Sequence, residues 1–131
     1  MSELKVDANT EKLGEVLEFI ASETPGLPEK TQQNILIAAE EIFVNIAQYA
    51  YRPDTGKAVV RVTSSWNVTI EFEDSGVPYD PLQKTDPDIT LSAEEREIGG
   101  LGIFIAKSLM DDISYRREGN KNILTIKKEI S

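Results

Sequence analysis

The sequence predicts an α+β domain, a two-layer α/β sandwich with helices packed on one face of a mainly antiparallel mixed sheet. Three observations predict it. Short runs alternating apolar with polar residues, the pattern of half-buried strands, recur at the start, middle and end of the chain. A long segment from Pro28 to about Tyr51 instead spaces its apolar residues at the helical period. The resulting order, β-α-α-β-β-loop-α-β-β, makes hairpins of neighbouring strands and gathers the helices on one side.

Each element has a local cause. Leu4 to Ala8 reads as a first strand. Asn9 or Thr10 can cap a helix from Glu11 to about Ser22, with Leu13, Val16, Leu17 and Ile20 on one face. Thr24-Pro25-Gly26-Leu27-Pro28 ends it, and Pro28 suits the first position of the next helix. That helix stops before Pro53-Asp54-Thr55-Gly56, a turn signal. Ala58 to Thr63 and Trp66 to Asp74 form a hairpin joined at Ser64-Ser65. Residues 81–98 are polar and rich in breakers, as expected of a mobile loop. Gly99-Gly100-Leu101-Gly102 leads into a helix over Ile103 to Met110. Ile113 to Arg117 and Ile123 to Glu129 close the chain as two strands.

At 131 residues, the chain fits one domain, expected over 1–131 with a lid at about 82–98. No apolar run is long enough for a membrane span. The opening Met1-Ser2-Glu3-Leu4-Lys5 is charged at once, unlike a secretory leader, so the expected location is cytoplasmic. The net charge of −9 argues against direct nucleic-acid binding. The chain has no cysteine and no histidine. This excludes disulfides, thiolate or His-ligated zinc, a Ser-His-Asp triad and a phosphohistidine relay within the chain. Acid–base chemistry is left to Asp, Glu, Lys or Tyr.

Asp74 is the first candidate site residue. Val68, Ile70 and Phe72 share one strand face, and Asp74 falls in phase with them. A carboxylate aimed at a core is costly unless something hydrogen-bonds it. Read alone, the segment favours a turn-capping Asp over a ligand site. Glu41 and Asn45, four residues apart, share one face of the second helix. Ile35, Ala38, Ile42, Ile46 and Ala50 form a separate stripe. Read alone, the polar seam favours a solvent-facing surface; otherwise it offers a carboxylate base and a neutral oxygen for Mg²⁺. Gly99, Gly100, Leu101 and Gly102 precede a helix N-terminus, where unpaired N–H groups can meet a phosphate. A glycine-rich tetrapeptide alone is weak support.

In combination, these segments resemble the GHKL (Bergerat-fold) ATPase and kinase superfamily, specifically its small bacterial serine kinases that act as anti-sigma factors. Glu40-Glu41-Ile42-Phe43-Val44-Asn45 is similar to the family's N box. Asp74-Ser75-Gly76-Val77-Pro78-Tyr79-Asp80-Pro81 is similar to its G1 box. Gly99-Gly100-Leu101-Gly102-Ile103, followed by Ser108-Leu109-Met110-Asp111-Asp112, is similar to its G2 box. Asn122 to Ile126 resembles the closing strand. The likeness spans about residues 8 to 128.

The resemblance implies ATP and Mg²⁺ as cofactors. It implies Asn45 as the metal ligand, Glu41 as the general base and Asp74 as the acceptor of the adenine amino group. Gly76 would give room beside the ring. Gly99, Gly100, Leu101, Gly102 and Ile103 would line the phosphate side under the lid. It further implies phosphorylation of a serine on an anti-anti-sigma partner, sequestration of a sigma factor and a possible homodimer. The alternative is an ATP-binding regulatory module that sequesters its partner without kinase activity. Two departures stand out. Tyr49 occupies a position that is commonly His, and the lid carries Asp86, Asp88, Glu94, Glu95 and Glu97 against Lys84 and Arg96.

Overall fold

The computed structural model describes residues 1–51, 54–83 and 100–130. Strand β1 (Ser2–Asp7) leads through a 3-10 turn, Thr10–Lys12, into helix α1 (Leu13–Ser22). Asn9, not Thr10, is the cap: its side-chain oxygen accepts the Glu11 N–H at 2.9 Å. Helix α2 (Glu29–Tyr49) follows. Pro28 stands one place earlier than expected, as the flanking N-cap with ψ 142°, so Glu29 opens the helix. Strands β2 (Lys57–Ser64) and β3 (Asn67–Asp74) pair as the expected hairpin. A 3-10 turn covers Pro81–Gln83. Apart from Leu82 and Gln83, the expected lid lies outside the described residues.

Helix α3 (Gly100–Leu109) begins earlier than the sequence suggested. Gly100, Leu101 and Gly102 are therefore its first turn rather than a loop leading to it; Gly99 lies outside the described residues. Strands β4 (Asp112–Glu118) and β5 (Lys121–Glu129) complete the chain. Gly119 turns their hairpin with φ 59°, a conformation most side chains resist.

Among the described residues, five strands form one sheet in the order β1-β2-β3-β5-β4. Every pairing is antiparallel, which corrects the expectation of a mixed sheet. The reason is where the last hairpin enters. β4 takes the sheet edge and β5 turns back inward to lie beside β3, running opposite to it.

The core fills the space between the helices and one sheet face. Val16 and Ile20 of α1, and Ile35, Ala38, Ile42, Phe43 and Ile46 of α2, are buried. They pack with Val60, Val62, Ile70, Phe72 and Ile126 of the sheet. Full burial of each large aliphatic or aromatic side chain contributes about 1.5–3 kcal/mol. The opposite sheet face is laced with ions. Arg61 pairs with Glu73 at 2.8 Å and with Glu3 at 3.0 Å, and Arg116 pairs with Glu71 at 3.1 Å. This two-layer arrangement is the one the sequence predicted, and it leaves the ends of α2 and β3 facing each other.

Candidate functional site

A cavity of about 330 Å³ opens between α2 and the sheet. Ile42, Asn45, Ile46, Tyr49 and Ala50 of α2 form one wall. Phe72, Asp74, Tyr115, Asn122 and Leu124 form the facing sheet wall, and Val77, Tyr79 and Pro81 close one side. The volume lies at the small end of the range for ligand sites, and the lining is mostly apolar with a few convergent polar groups.

Asp74 is buried, as its phase on β3 predicted. Its Oδ1 accepts two N–H groups, Gly76 N at 2.8 Å and Asn122 Nδ2 at 2.9 Å. The first bond is the turn cap that the local sequence suggested. The turn cap and the cavity-lining acid are thus the same residue. Oδ2 receives no donor among the described residues. It is not a sealed orphan either, since Thr125 Oγ1 is the one buried side-chain atom there that lacks a partner. Oδ2 is therefore the oxygen open to the cavity that Asp74 lines.

Asn45 lines the cavity from α2, and Glu41 stands one helical turn before it. The seam is thus not a plain solvent face. Ile37 and Gln48, which lie near the same stripe of α2, are exposed, whereas Glu41 and Asn45 are half-buried. Burial, and after it the neighbouring Glu40 charge, push the Glu41 carboxyl above its ordinary value. Gly102 of α3 faces this carboxylate: a Cβ there would stand 2.7 Å from Glu41 Oε2. Ile103, expected at the phosphate side, is buried and lies outside the cavity lining.

Gly76 has a reason for being glycine besides the expected room beside a ring. An added Cβ would lie 2.0 Å from the carbonyl oxygen of Ala50, inside the backbone at the end of α2. The close approach is sealed by Val77 N donating to that same oxygen at 3.1 Å. Tyr51 reinforces it. Its hydroxyl donates to Lys57 O at 2.6 Å and accepts from Ser75 N at 2.7 Å. Tyr49, flagged as a departure, does form part of the cavity wall.

Asn122, Tyr115 and Arg117 belong to predicted strands but are not singled out by the sequence as site residues. The register places Asn122 opposite Asp74 on one side and opposite Arg117 on the other. A polar row, Asp74-Asn122-Arg117, therefore crosses a sheet face built mainly of apolar side chains. The available signal was phase: Asn122 alternates with Leu124 and Ile126 just as Asp74 does with Phe72. It was obscured because Ile123 and Thr125, on the other face, are buried too. Among the described residues no three carboxylate, His or Cys side chains converge to hold a metal. The donor set still fits Mg²⁺, which binds through few protein oxygens when it is carried on phosphates. Asn45 supplies such an oxygen at the cavity wall. Among the described residues no helix is long and apolar enough to cross a membrane.

The chain is 30% identical over 95 residues to the serine/threonine-protein kinase BtrW of Bordetella bronchiseptica, covering 70% of this chain and 66% of that protein. It is 32% identical over 100 residues to the serine-protein kinase RsbW of Bacillus thuringiensis, covering 72% of this chain and 62% of that one. The matched region thus spans somewhat less than two thirds of each relative. With RsbW of Bacillus cereus strain AH187 it is 29% identical over 133 residues, covering 95% of this chain and 82% of the relative. The histidine kinase domain of a blue-light activated histidine kinase, Erythrobacter litoralis EL346, shares the fold. The TM-score is 0.55 at 20% identity, over 92% of this chain and 60% of that one. The sequence profile of the histidine kinase-like ATPase domain matches residues 6–128. The chain belongs to the histidine kinase-like ATPase domain family.

Proposed function

We propose that this protein is an Mg-ATP-dependent serine kinase of a regulatory partner. The reading rests above all on one observation: Asp74 presents an open carboxylate oxygen within an apolar cavity whose opposite wall carries Asn45. An acceptor in such a place suits an exocyclic amino group such as that of adenine. ATP would lie with its base at Asp74 and its phosphates towards Asn45 and the first turn of α3. There the unpaired N–H groups of Gly100, Leu101 and Gly102 favour anions. Gly99 and the acidic lid residues, expected at the same end, lie outside the described residues.

Mg²⁺, held on the phosphates and by Asn45, would supply charge neutralisation when bound. Glu41 is the group for the proton. Its carboxylate accepts the hydroxyl proton of the partner's serine as the serine oxygen bonds to the γ-phosphorus. The bond from that phosphorus to the β–γ bridging oxygen breaks, and ADP leaves with the electron pair. The raised Glu41 carboxyl matches a base that must take up a proton. The partner proposed is a small anti-anti-sigma protein, with a sigma factor held in competition. This extends the kinase names of the relatives to the present chain.

The test is incubation with labelled ATP, Mg²⁺ and the candidate antagonist protein, alongside Asp74→Asn. Label on a partner serine is expected from the wild type. Asp74→Asn should stay folded, because its side-chain oxygen can still accept from Gly76 and Asn122. It should lose ATP, because an amide N–H would then face the cavity in place of the acceptor. Binding without transfer would leave the chain as a sequestering module, and unchanged ATP affinity in Asp74→Asn would remove the base-recognition role.

A further inference from the structure

We propose that Asn122 is a positioning residue for base recognition, one that sets which oxygen of Asp74 the ligand meets and makes no hydrogen bond to the ligand itself. This rests on the reading that Asp74 accepts the exocyclic amino group of an adenine.

Asn122 is buried, and its amide is fully used. Nδ2 donates to Asp74 Oδ1 at 2.9 Å and to Val77 O at 2.8 Å. Oδ1 accepts from Tyr115 Oη at 2.5 Å and from Tyr79 N at 3.3 Å. An asparagine side chain has two donor hydrogens and two acceptor lone pairs, so no position is left for a nucleotide. The orientation of the amide is fixed by its neighbours. A carboxylate, a carbonyl and a backbone N–H each have only one possible role, and reversing the amide would set its oxygen against two other oxygens.

Two consequences follow for the cavity. One donor from Asn122 and one from Gly76 both engage Oδ1, which turns Oδ2 to the cavity as the acceptor offered by this carboxylate. The other bonds of Asn122 hold the loop after β3 at both Val77 and Tyr79, two residues that line the cavity. Arg117, next in the polar row, holds the same loop by donating from Nη1 to Gly76 O at 3.1 Å. The acceptor and the wall facing it are thus set by one side chain. A network whose members are all satisfied keeps a single arrangement, and removing one member loosens the others.

The experiment compares ATP with inosine triphosphate, which carries a 6-oxo group where ATP has a 6-amino group. Affinities are read by calorimetric titration with Mg²⁺. The wild type should prefer ATP by at least about tenfold, since a carboxylate oxygen faces either a donor or another acceptor. Asn122→Ser should cut that ratio by about fivefold or more, whatever common loss the loosened wall adds to both nucleotides. Loss of packing alone would weaken both nucleotides equally. An unchanged ratio in Asn122→Ser therefore overturns the positioning role and leaves the Asp74 reading intact. A wild type that does not distinguish the two nucleotides overturns the Asp74 reading, and this proposal with it. Should Asn122→Ser fail to fold, Tyr115→Phe carries the same test. It removes only the hydroxyl that holds Asn122 Oδ1, and it should lower the ratio by about threefold; no change in the ratio counts against the proposal.

Discussion

Gly102 of α3 leaves the space that the Glu41 carboxylate of α2 occupies: an added Cβ would stand 2.7 Å from Glu41 Oε2. The atom that must yield is the far end of a flexible side chain, not backbone. Gly102→Ala should therefore fold well. Relative to glycine, alanine in a helix is worth about 0.5–1 kcal/mol. The carboxylate, however, must move. Phosphoryl transfer should fall on the order of 100-fold, the usual consequence of misplacing a reacting group by about 1 Å. ATP affinity should change little. Steady-state kinetics beside a thermal melt would show the split, and an active, stable variant would dissociate Gly102 from the placement of Glu41.

Glu41→Gln should retain ATP and lose about 10²–10⁴-fold in transfer, the range expected for a positioned base. It should also stabilise the fold near neutral pH. The folded-state Glu41 carboxyl titrates above its ordinary value because of burial and then Glu40. An acid raised in this way stabilises the fold while protonated and loses that contribution as pH rises through its folded value. Above that value the charge is a burden that glutamine lacks. The melting temperature of Glu41→Gln should exceed that of the wild type at pH 7, with the gap closing as pH falls to the ordinary Glu range and below. The same raised carboxyl predicts that transfer by the wild type rises with pH along a limb above the usual Glu range. A variant with full transfer activity would remove Glu41 from the chemistry.

Gly76→Ala meets backbone rather than a mobile side chain. The added methyl would fall 2.0 Å from Ala50 O and 2.6 Å from its carbonyl carbon. Either α2 must shorten or the loop after Asp74 must swing away. A loss of roughly 2–3 kcal/mol is expected, read as a lower urea midpoint at constant slope. Nucleotide affinity should fall with it, because Gly76 N and Val77 N both anchor the loop beside Asp74.

Arg61→Met tests the ion lattice on the outer sheet face. Burial alone would push the Glu73 carboxyl up. The Arg61 hydrogen bond and charge, with Lys121 behind them, hold it below its ordinary value instead. A depressed acid contributes stability above its unfolded value and loses it as pH falls through the folded one. Removing Arg61 leaves a nearly buried charge short of its main partner, at a cost of about 1–3 kcal/mol at neutral pH. The gap between variant and wild type should narrow as pH falls through the ordinary Glu range and close only below it, once Glu73 is protonated in the wild type as well. Denaturant melts at several pH values would check this, and a gap independent of pH would assign the effect to lost packing.

Much of this molecule was legible in its sequence because the signals are local. The strand period placed Asp74 on the core face, and burial followed. The helical period separated the buried stripe of Ile35, Ala38, Ile42 and Ile46 from the Glu41-Asn45 seam. The start of α3 lies earlier than its glycines suggest, because they weaken a helix locally while contacts with α2 and the core carry the helix through them. For Gly76 the sequence suggests room for a ligand, and the structure adds the close approach of Ala50. Lining up Asp74, Asn122 and Arg117 depends on the register between β3, β5 and β4, which the packing of the whole sheet determines. The meeting of Glu41 with Gly102 depends on how two helices far apart in the chain settle against each other. Sequence by itself determined which residues face inward; tertiary structure alone decided which of them meet, because hydrophobic periodicity acts within one element while contact requires two.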